Sequence, residues 1–164
     1  MKRTFQAFLL LALIAIAFLT YRFLFPGDEA RIRKVLERAA IAGSVTGNEG
    51  DLGRLTKAAE LASICTKDIQ VTVDAVGLRG GLEGRDSVRN AAMRFGTTFG
   101  NYRIQLANIH FRELAETSAK VTLTARFEGA APAEIDAQEF AIGFQKVDGN
   151  WLIARVETVR LLKR

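Results

Sequence analysis

The side chains best suited to acid–base or nucleophilic chemistry are few and scattered. The chain of 164 residues holds one histidine, His110, and one cysteine, Cys65. Asp74 closes an alternating apolar segment, Ile69 to Val73, and Tyr102 opens another, in which Tyr102 and His110 share the parity of Ile104 and Leu106. A carboxylate, a phenol and an imidazole are groups that can move a proton or hold a developing charge. Asp74, Tyr102 and His110 are therefore the candidate catalytic residues. Each also has an ordinary structural role to set against this: a turn former at a strand end, a core or rim aromatic, and a strand histidine facing solvent. A single histidine without a neighbouring acidic cluster gives no metal-ligand set, and a single cysteine excludes an internal disulfide and a Cys-based metal site. Cys65 reads as a small buried hydrophobe. No Ser-His-Asp arrangement can be placed. Gly77, Gly80, Gly81 and Gly84 match neither a P-loop nor a dinucleotide fingerprint, so no cofactor is expected.

The elements that would position these residues follow from periodicity. Asp28 to about Ala42 predicts an amphipathic helix, with Ile32, Val35, Leu36 and Ala39 on its apolar side and Arg31, Lys34 and Arg38 as a basic stripe beside it. That stripe is either a solvated face or a contact for anionic headgroups. Gly47-Asn48-Glu49-Gly50 is a loop. A second helix is expected to be capped by Asp51 and to run to about Ile64, with Leu52, Leu55, Ala59 and Ala62 inward. Asp68 to Asp74 alternates as a half-buried strand, and the glycines after it make a turn region or a short irregular hairpin. Asp86 stands where an N-cap belongs for a third helix, Ser87 to about Phe99. Four strands follow. In Tyr102 to Phe111 the apolar parity switches to Ile109 and Phe111, which predicts a bulge near Ala107. Ala119 to Phe127 puts Val121, Leu123, Ala125 and Phe127 on one side. Gln138 to Val147 groups Phe140, Ile142 and Phe144. Asp148-Gly149 is a hairpin turn leading into Trp151 to about Leu161.

Ahead of these elements, Thr4 to Tyr21 carries no charged side chain. From Phe5 to Phe25 the apolar segment would make a helix of roughly 30 Å, about one hydrocarbon thickness. Lys2 and Arg3 before it also fit a secretory leader. Bulky residues, Thr20 to Pro26, occupy the place where small residues would mark cleavage, which favours a retained single-pass anchor. Lys2 and Arg3 place the amino terminus in the cytoplasm; Arg22, Arg31, Arg33 and Lys34 count the other way, but several belong to a helix of the folded domain. The expected division is an anchor with its juxtamembrane break, 1–27, and one domain, 28–164. The expected location is the bacterial inner membrane, with the domain periplasmic and the bilayer as a partner through residues 5–25. Residues 28–164 carry 20 basic and 18 acidic side chains. That balance gives no basic face for nucleic acid.

The order of helix, helix, strand, glycine-rich turn, helix and four strands resembles the NTF2-like (SnoaL-like, cystatin-like α+β) superfamily. The likeness is carried by Ile69-Gln70-Val71-Thr72-Val73-Asp74, by Glu83-Gly84-Arg85-Asp86-Ser87-Val88 and by Gln145-Lys146-Val147-Asp148-Gly149-Asn150-Trp151-Leu152-Ile153. It implies a cone-shaped α+β domain, three helices packed in a curved, mainly antiparallel sheet around an apolar pocket. In isomerase-like members a carboxylate at the end of the first strand moves a proton in that pocket, and Asp74 stands at the matching place. Those members also place a Tyr on the first helix and an acid on the next-to-last strand. Here the first helix has no Tyr, and that strand presents Phe140, Ile142 and Phe144. Other members bind, dimerise or scaffold, some of them anchored in bacterial envelope assemblies. The resemblance thus implies a membrane-anchored binding or assembly module, with a homodimer or an envelope protein as partner. The alternative is a small-molecule isomerase, lyase or cyclase with Asp74 as base.

Overall fold

In a computed structural model the structure describes residues 27–47, 49–75, 78–98, 101–129 and 137–159. The chain divides into two units, residues 1–31 and 32–164. Of the first, the structure describes residues 27–31, the opening turn of a helix in which the Arg31 N–H donates to the Gly27 carbonyl at 3.2 Å. The expected membrane helix, residues 5–25, lies outside the described residues. Among the described residues no helix is long and apolar enough to cross a membrane.

Among the described residues the elements are α1 (Asp28–Gly43), α2 (Asp51–Ser63), β1 (Cys65–Ala75), β2 (Leu78–Glu83), α3 (Arg85–Thr98), β3 (Tyr102–Leu114), β4 (Ser118–Gly129), β5 (Ala137–Val147) and β6 (Asn150–Thr158). The order of helix, helix, strand, glycine-rich stretch, helix and four strands is the predicted one. The glycine-rich stretch after Asp74 forms a real strand, β2, paired antiparallel with β1 from Gln70↔Glu83 to Ala75↔Leu78. The sheet has six strands in the order β2-β1-β6-β5-β4-β3. It is mixed, because β1 and β6 run parallel, with Val71 beside Val156.

Alternation decides what is buried. On β4, Val121, Leu123 and Ala125 are buried while Lys120 and Arg126 face water. Across the ladder, Val121 lies opposite Ile142 and Ala119 opposite Phe144. These residues form one core with Ile32, Leu36, Ile64, Ile69, Trp151 and Ile153. Register shifts interrupt three ladders, β1–β6, β3–β4 and β5–β6, and bend the sheet. The bulge expected near Ala107 is one of them. Pairing jumps from Ala107↔Thr124 to His110↔Thr122, and Asn108 adopts φ 52° to make room for the extra residue. The β5–β6 turn has Asp148 at φ 50° and Gly149 at φ 78°. Both central residues are left-handed, as the tight Asp-Gly hairpin requires.

Two sequence expectations need correction. The inward face of α2 is Ala58 and Ala62, with Leu61 partly buried; Leu52, Leu55 and Ala59 are exposed. Small alanines let the helix approach its neighbours closely, and the leucines turn outward. The second correction concerns the caps. The N-cap of α2 is Gly50, with no side-chain capping bond, and Asp51 stands in the first turn. Asp28 and Asp86 likewise sit inside the first turns of α1 and α3. Acids there interact favourably with the positive end of the helix dipole.

Candidate functional site

The structure separates the three candidate residues. Asp74 is exposed, on the side of β1 shared with Gln70 and Thr72 and opposite to that of buried Ile69. It lies opposite Arg79 in the β1–β2 ladder, and its N–H donates to the Thr158 hydroxyl at 2.9 Å. His110 is exposed as well. The bulge at Asn108 restores Ile109 and Phe111 to the core side and turns His110 away from it. Tyr102 alone is buried, at 5 % exposure. Between β1 and β3 stand β6, β5 and β4. At the usual strand spacing Asp74 and Tyr102 are roughly 19 Å apart along the sheet, and Tyr102 and His110 are roughly 26 Å apart along β3. The three do not converge.

Tyr102 instead belongs to a polar cluster built by the α1–α2 loop. Val45 and Tyr102 form an antiparallel bridge, each N–H donating to the other's carbonyl, at 2.8 and 2.9 Å. The Tyr102 ring meets Phe95 of α3 edge-on at 5.6 Å and lies 6.4 Å from Phe127 of β4. Gly129 makes the close approach to this strand start feasible. It has φ +122°, and a Cβ on it would fall 2.5 Å from the Asn101 carbonyl oxygen. Ser44, one residue before Val45, makes the loop's next contacts. The Ser44 hydroxyl accepts from the Ile104 N–H at 2.9 Å and donates to the Ala40 carbonyl at 2.6 Å.

Glu49 and Lys57 supply the charge in this cluster. Glu49 Oε1 accepts from the Thr46 N–H at 3.3 Å, from the Thr46 hydroxyl and from Lys57 Nζ. Lys57 Nζ also donates to the Ser44 carbonyl at 2.9 Å. Burial pushes the Glu49 pKa up, but the bonds from Lys57 and Thr46 and the Lys57 charge outweigh it and hold the carboxyl below its usual value. Burial, and then the negative charge of Glu49, push the Tyr102 phenol up to about 12. The cluster therefore combines a carboxylate kept ionised with a phenol kept protonated. Among the described residues, Glu49 Oε2 is shielded from solvent without a hydrogen-bond partner. Neither Glu49 nor Lys57 stands out by type in the sequence. The one legible signal was Thr46-x-x-Glu49, the spacing of a reciprocal capping box. Here the box closes on the loop: the Glu49 N–H also donates to the Thr46 carbonyl at 3.0 Å.

A second feature lies where β2 enters α3. A surface cleft of about 500 Å³ is lined by Lys67, Glu83, Gly84, Arg85, Asp86 and Ser87. Its two cations and two anions balance, and Arg85 Nε already donates to the Cys65 carbonyl at 3.0 Å. Cys65 itself is buried, and burial raises its thiol to about 11 despite the opposing Arg85 charge. It is an inert core residue. Among the described residues no three His, Cys, Asp or Glu side chains gather in a way that could hold a metal ion.

No protein-family model and no curated protein matches the chain. Solved structures do. An NTF2-like protein with a cystatin-like fold from Novosphingobium aromaticivorans is 16% identical, with a TM-score of 0.63 over 89% of this chain and 90% of that one. A protein from the same organism, provisionally named a scytalone dehydratase, is 21% identical, with a TM-score of 0.61 over 81% and 85%. A third, from Xanthomonas campestris, provisionally named a calcium/calmodulin-dependent protein kinase II association domain, is 15% identical, with a TM-score of 0.59 over 84% and 91%. At these identities the likeness establishes the fold alone: the described residues form three helices and a curved, mixed six-stranded sheet of the NTF2-like, cystatin-like kind. The names of these neighbours span catalysis and association, so the fold leaves the choice to the site.

Proposed function

We propose that this chain is a membrane-anchored binding or assembly module on an NTF2-like fold. The observation that carries the choice of binding over catalysis is the dispersal of Asp74, Tyr102 and His110. Two are exposed, and three strands stand between the strand of Asp74 and the strand of the other two. A base without an oxyanion donor within reach has no geometry for proton transfer next to a carbonyl. The alternative, an isomerase, lyase or cyclase with Asp74 as base, lacks that support. The association-domain neighbour adds an analogy at the level of the fold.

The anchored part of the proposal is supported by the uncharged run from Thr4 to Tyr21. In lipid a segment of that length satisfies its own backbone hydrogen bonds as a helix. Residues 1–27 are then the tether and 28–164 the module, in a bacterial inner membrane with the module on the periplasmic side. A tether raises the effective concentration of the module against partners at the membrane, a second copy or another envelope protein. No cofactor enters this reading. Fractionation of cells expressing the full chain tests it. The chain is expected in the membrane pellet after an alkaline carbonate wash, released by detergent, and a C-terminal alkaline phosphatase fusion is expected to be active. Recovery of the intact chain in the high-speed supernatant would overturn the anchor.

A further inference from the structure

We infer that the solvent side of the α1–α2 hairpin lies against the bilayer, with Ile41 and Leu52 in the interface and Lys34 among anionic headgroups. The inference rests on the anchored reading above and adds an orientation for the domain. It starts from two aliphatic side chains whose exposure the fold does not explain. Ile41 is 67% and Leu52 77% exposed, the most exposed large hydrophobic residues described. An isolated exposed leucine is ordinary; the placement of this pair is not.

On α1, Ile32, Val35 and Leu36 face the core, and Lys34, Arg38 and Ile41 stand at i, i+4 and i+7 on the exposed side. The hairpin is antiparallel. Arg38 Nε donates to Glu60 at 2.8 Å, and Lys57 of α2 reaches the Ser44 carbonyl just past the end of α1. Ile41 at the end of α1 and Leu52 at the start of α2 therefore flank the same connecting loop. Along this exposed line α1 goes from basic to aliphatic, the pattern of a segment lying in a membrane interface. Glu37 shares the exposed side, and Arg38 is engaged with Glu60. Lys34 has no ion pair among the described residues and is the cation free to meet phosphate.

Chain length argues for the bilayer as the occupant. Only Pro26 and Gly27 separate Phe25 from Asp28. Fully extended, those three steps span no more than about 11 Å. Ile41 is thirteen residues further along α1, roughly 20 Å of helix. A proline followed by a glycine does not propagate a helix, so the sequence does not oblige α1 to continue an anchor helix. Once α1 lies along the surface, Ile41 and Leu52 leave water for the acyl boundary, which is favourable for each.

The test uses the full chain in nanodiscs of phosphatidylethanolamine and phosphatidylglycerol. An environment-sensitive fluorophore is attached at Ile41→Cys, at Leu52→Cys or, as control, at Lys120→Cys on the outer face of the sheet. Cys65 is buried and resists labelling. The two hairpin labels are expected to brighten about threefold over the control and to be quenched by brominated lipid. Lys34→Glu is expected to weaken both signals most in discs rich in phosphatidylglycerol. Labels at 41 and 52 that behave like the control, in a chain that stays in the disc, overturn the inference and leave the anchor standing. Labels shielded without lipid quenching, with cross-links between copies, also overturn it, in favour of a second copy. A chain that does not stay in the disc removes both the inference and the anchored reading.

Discussion

Phe144→Ala is expected to destabilise the domain by about 3–5 kcal/mol, the range for truncating a large aromatic in a close-packed core. Phe144 is the largest of the fully buried side chains, at 2 % exposure. It sits near the centre of the sheet, on β5, opposite Ala119 of β4 and Ile153 of β6. Ala119 is too small to fill the space left behind, and the β5–β6 register shift beside Gly143 and Phe144 limits how far the backbone can collapse. Domains of this size have a total stability of about 5–15 kcal/mol, so the variant would lose a large fraction of it. Lys120→Ala is the matched control. It lies on the exposed side of β4, opposite Gly143, and is expected to change stability by no more than about 0.5 kcal/mol. Denaturant unfolding followed by the fluorescence of the single tryptophan, Trp151, which is itself buried, measures both. A loss below about 1 kcal/mol for Phe144→Ala would mean that the inner face of the sheet is not packed as described.

That inner face was legible in the sequence because alternation on a strand is a local signal. Val121, Leu123 and Ala125 needed only their own spacing to be placed on one side, and the switch from Ile104/Leu106 to Ile109/Phe111 revealed a bulge before any partner strand was known. Asp148-Gly149 announced its turn for the same reason. What failed was either ambiguous in phase or non-local. In α2 the apolar residues Leu52, Leu55, Ala58, Ala59, Leu61 and Ala62 fit two helical phases. Hydrophobicity favours the one that buries leucines, whereas close approach selected the one that buries Ala58 and Ala62. Asp74 was placed correctly at a strand end, but its neighbours depend on strand order. The parallel pairing of β1 with β6 joins segments about eighty residues apart, as the Gln70–Arg155 hydrogen bond at 2.7 Å shows. No local pattern encodes that. The polar cluster was missed for a related reason: Glu49 is one acid in a glycine-flanked loop, and Lys57, eight residues later, gives no hint that it returns to that loop.

That cluster carries the second large expected effect. Lys57→Met keeps the length of the stem and removes the ammonium that neutralises Glu49. The two side chains are only 28% and 15% exposed, so the carboxylate left behind is poorly solvated. Breaking a wholly buried pair costs 3–5 kcal/mol, and this partly buried one is expected to cost about 2 kcal/mol at neutral pH. The pH dependence distinguishes lost charge pairing from lost packing. In the parent protein the folded-state pKa of Glu49 lies below its usual 4.5. Its stabilising contribution is therefore complete above the unfolded value and is lost as pH falls through the folded one. Burial is already the largest single influence on this carboxyl and raises its pKa; without Lys57 only the Thr46 bonds oppose it, so the pKa rises and protonation relieves the variant while it weakens the parent. The gap between the two is expected to be widest near pH 7 and to narrow by more than half at about pH 4. Adding Glu49→Gln to Lys57→Met should cost less than the two single changes summed, because the second substitution removes the charge the first has stranded. Unfolding curves for the four proteins at both pH values measure this. An equal cost at the two pH values would show that Lys57 holds the loop by packing its stem, and that the ion pair with Glu49 contributes little.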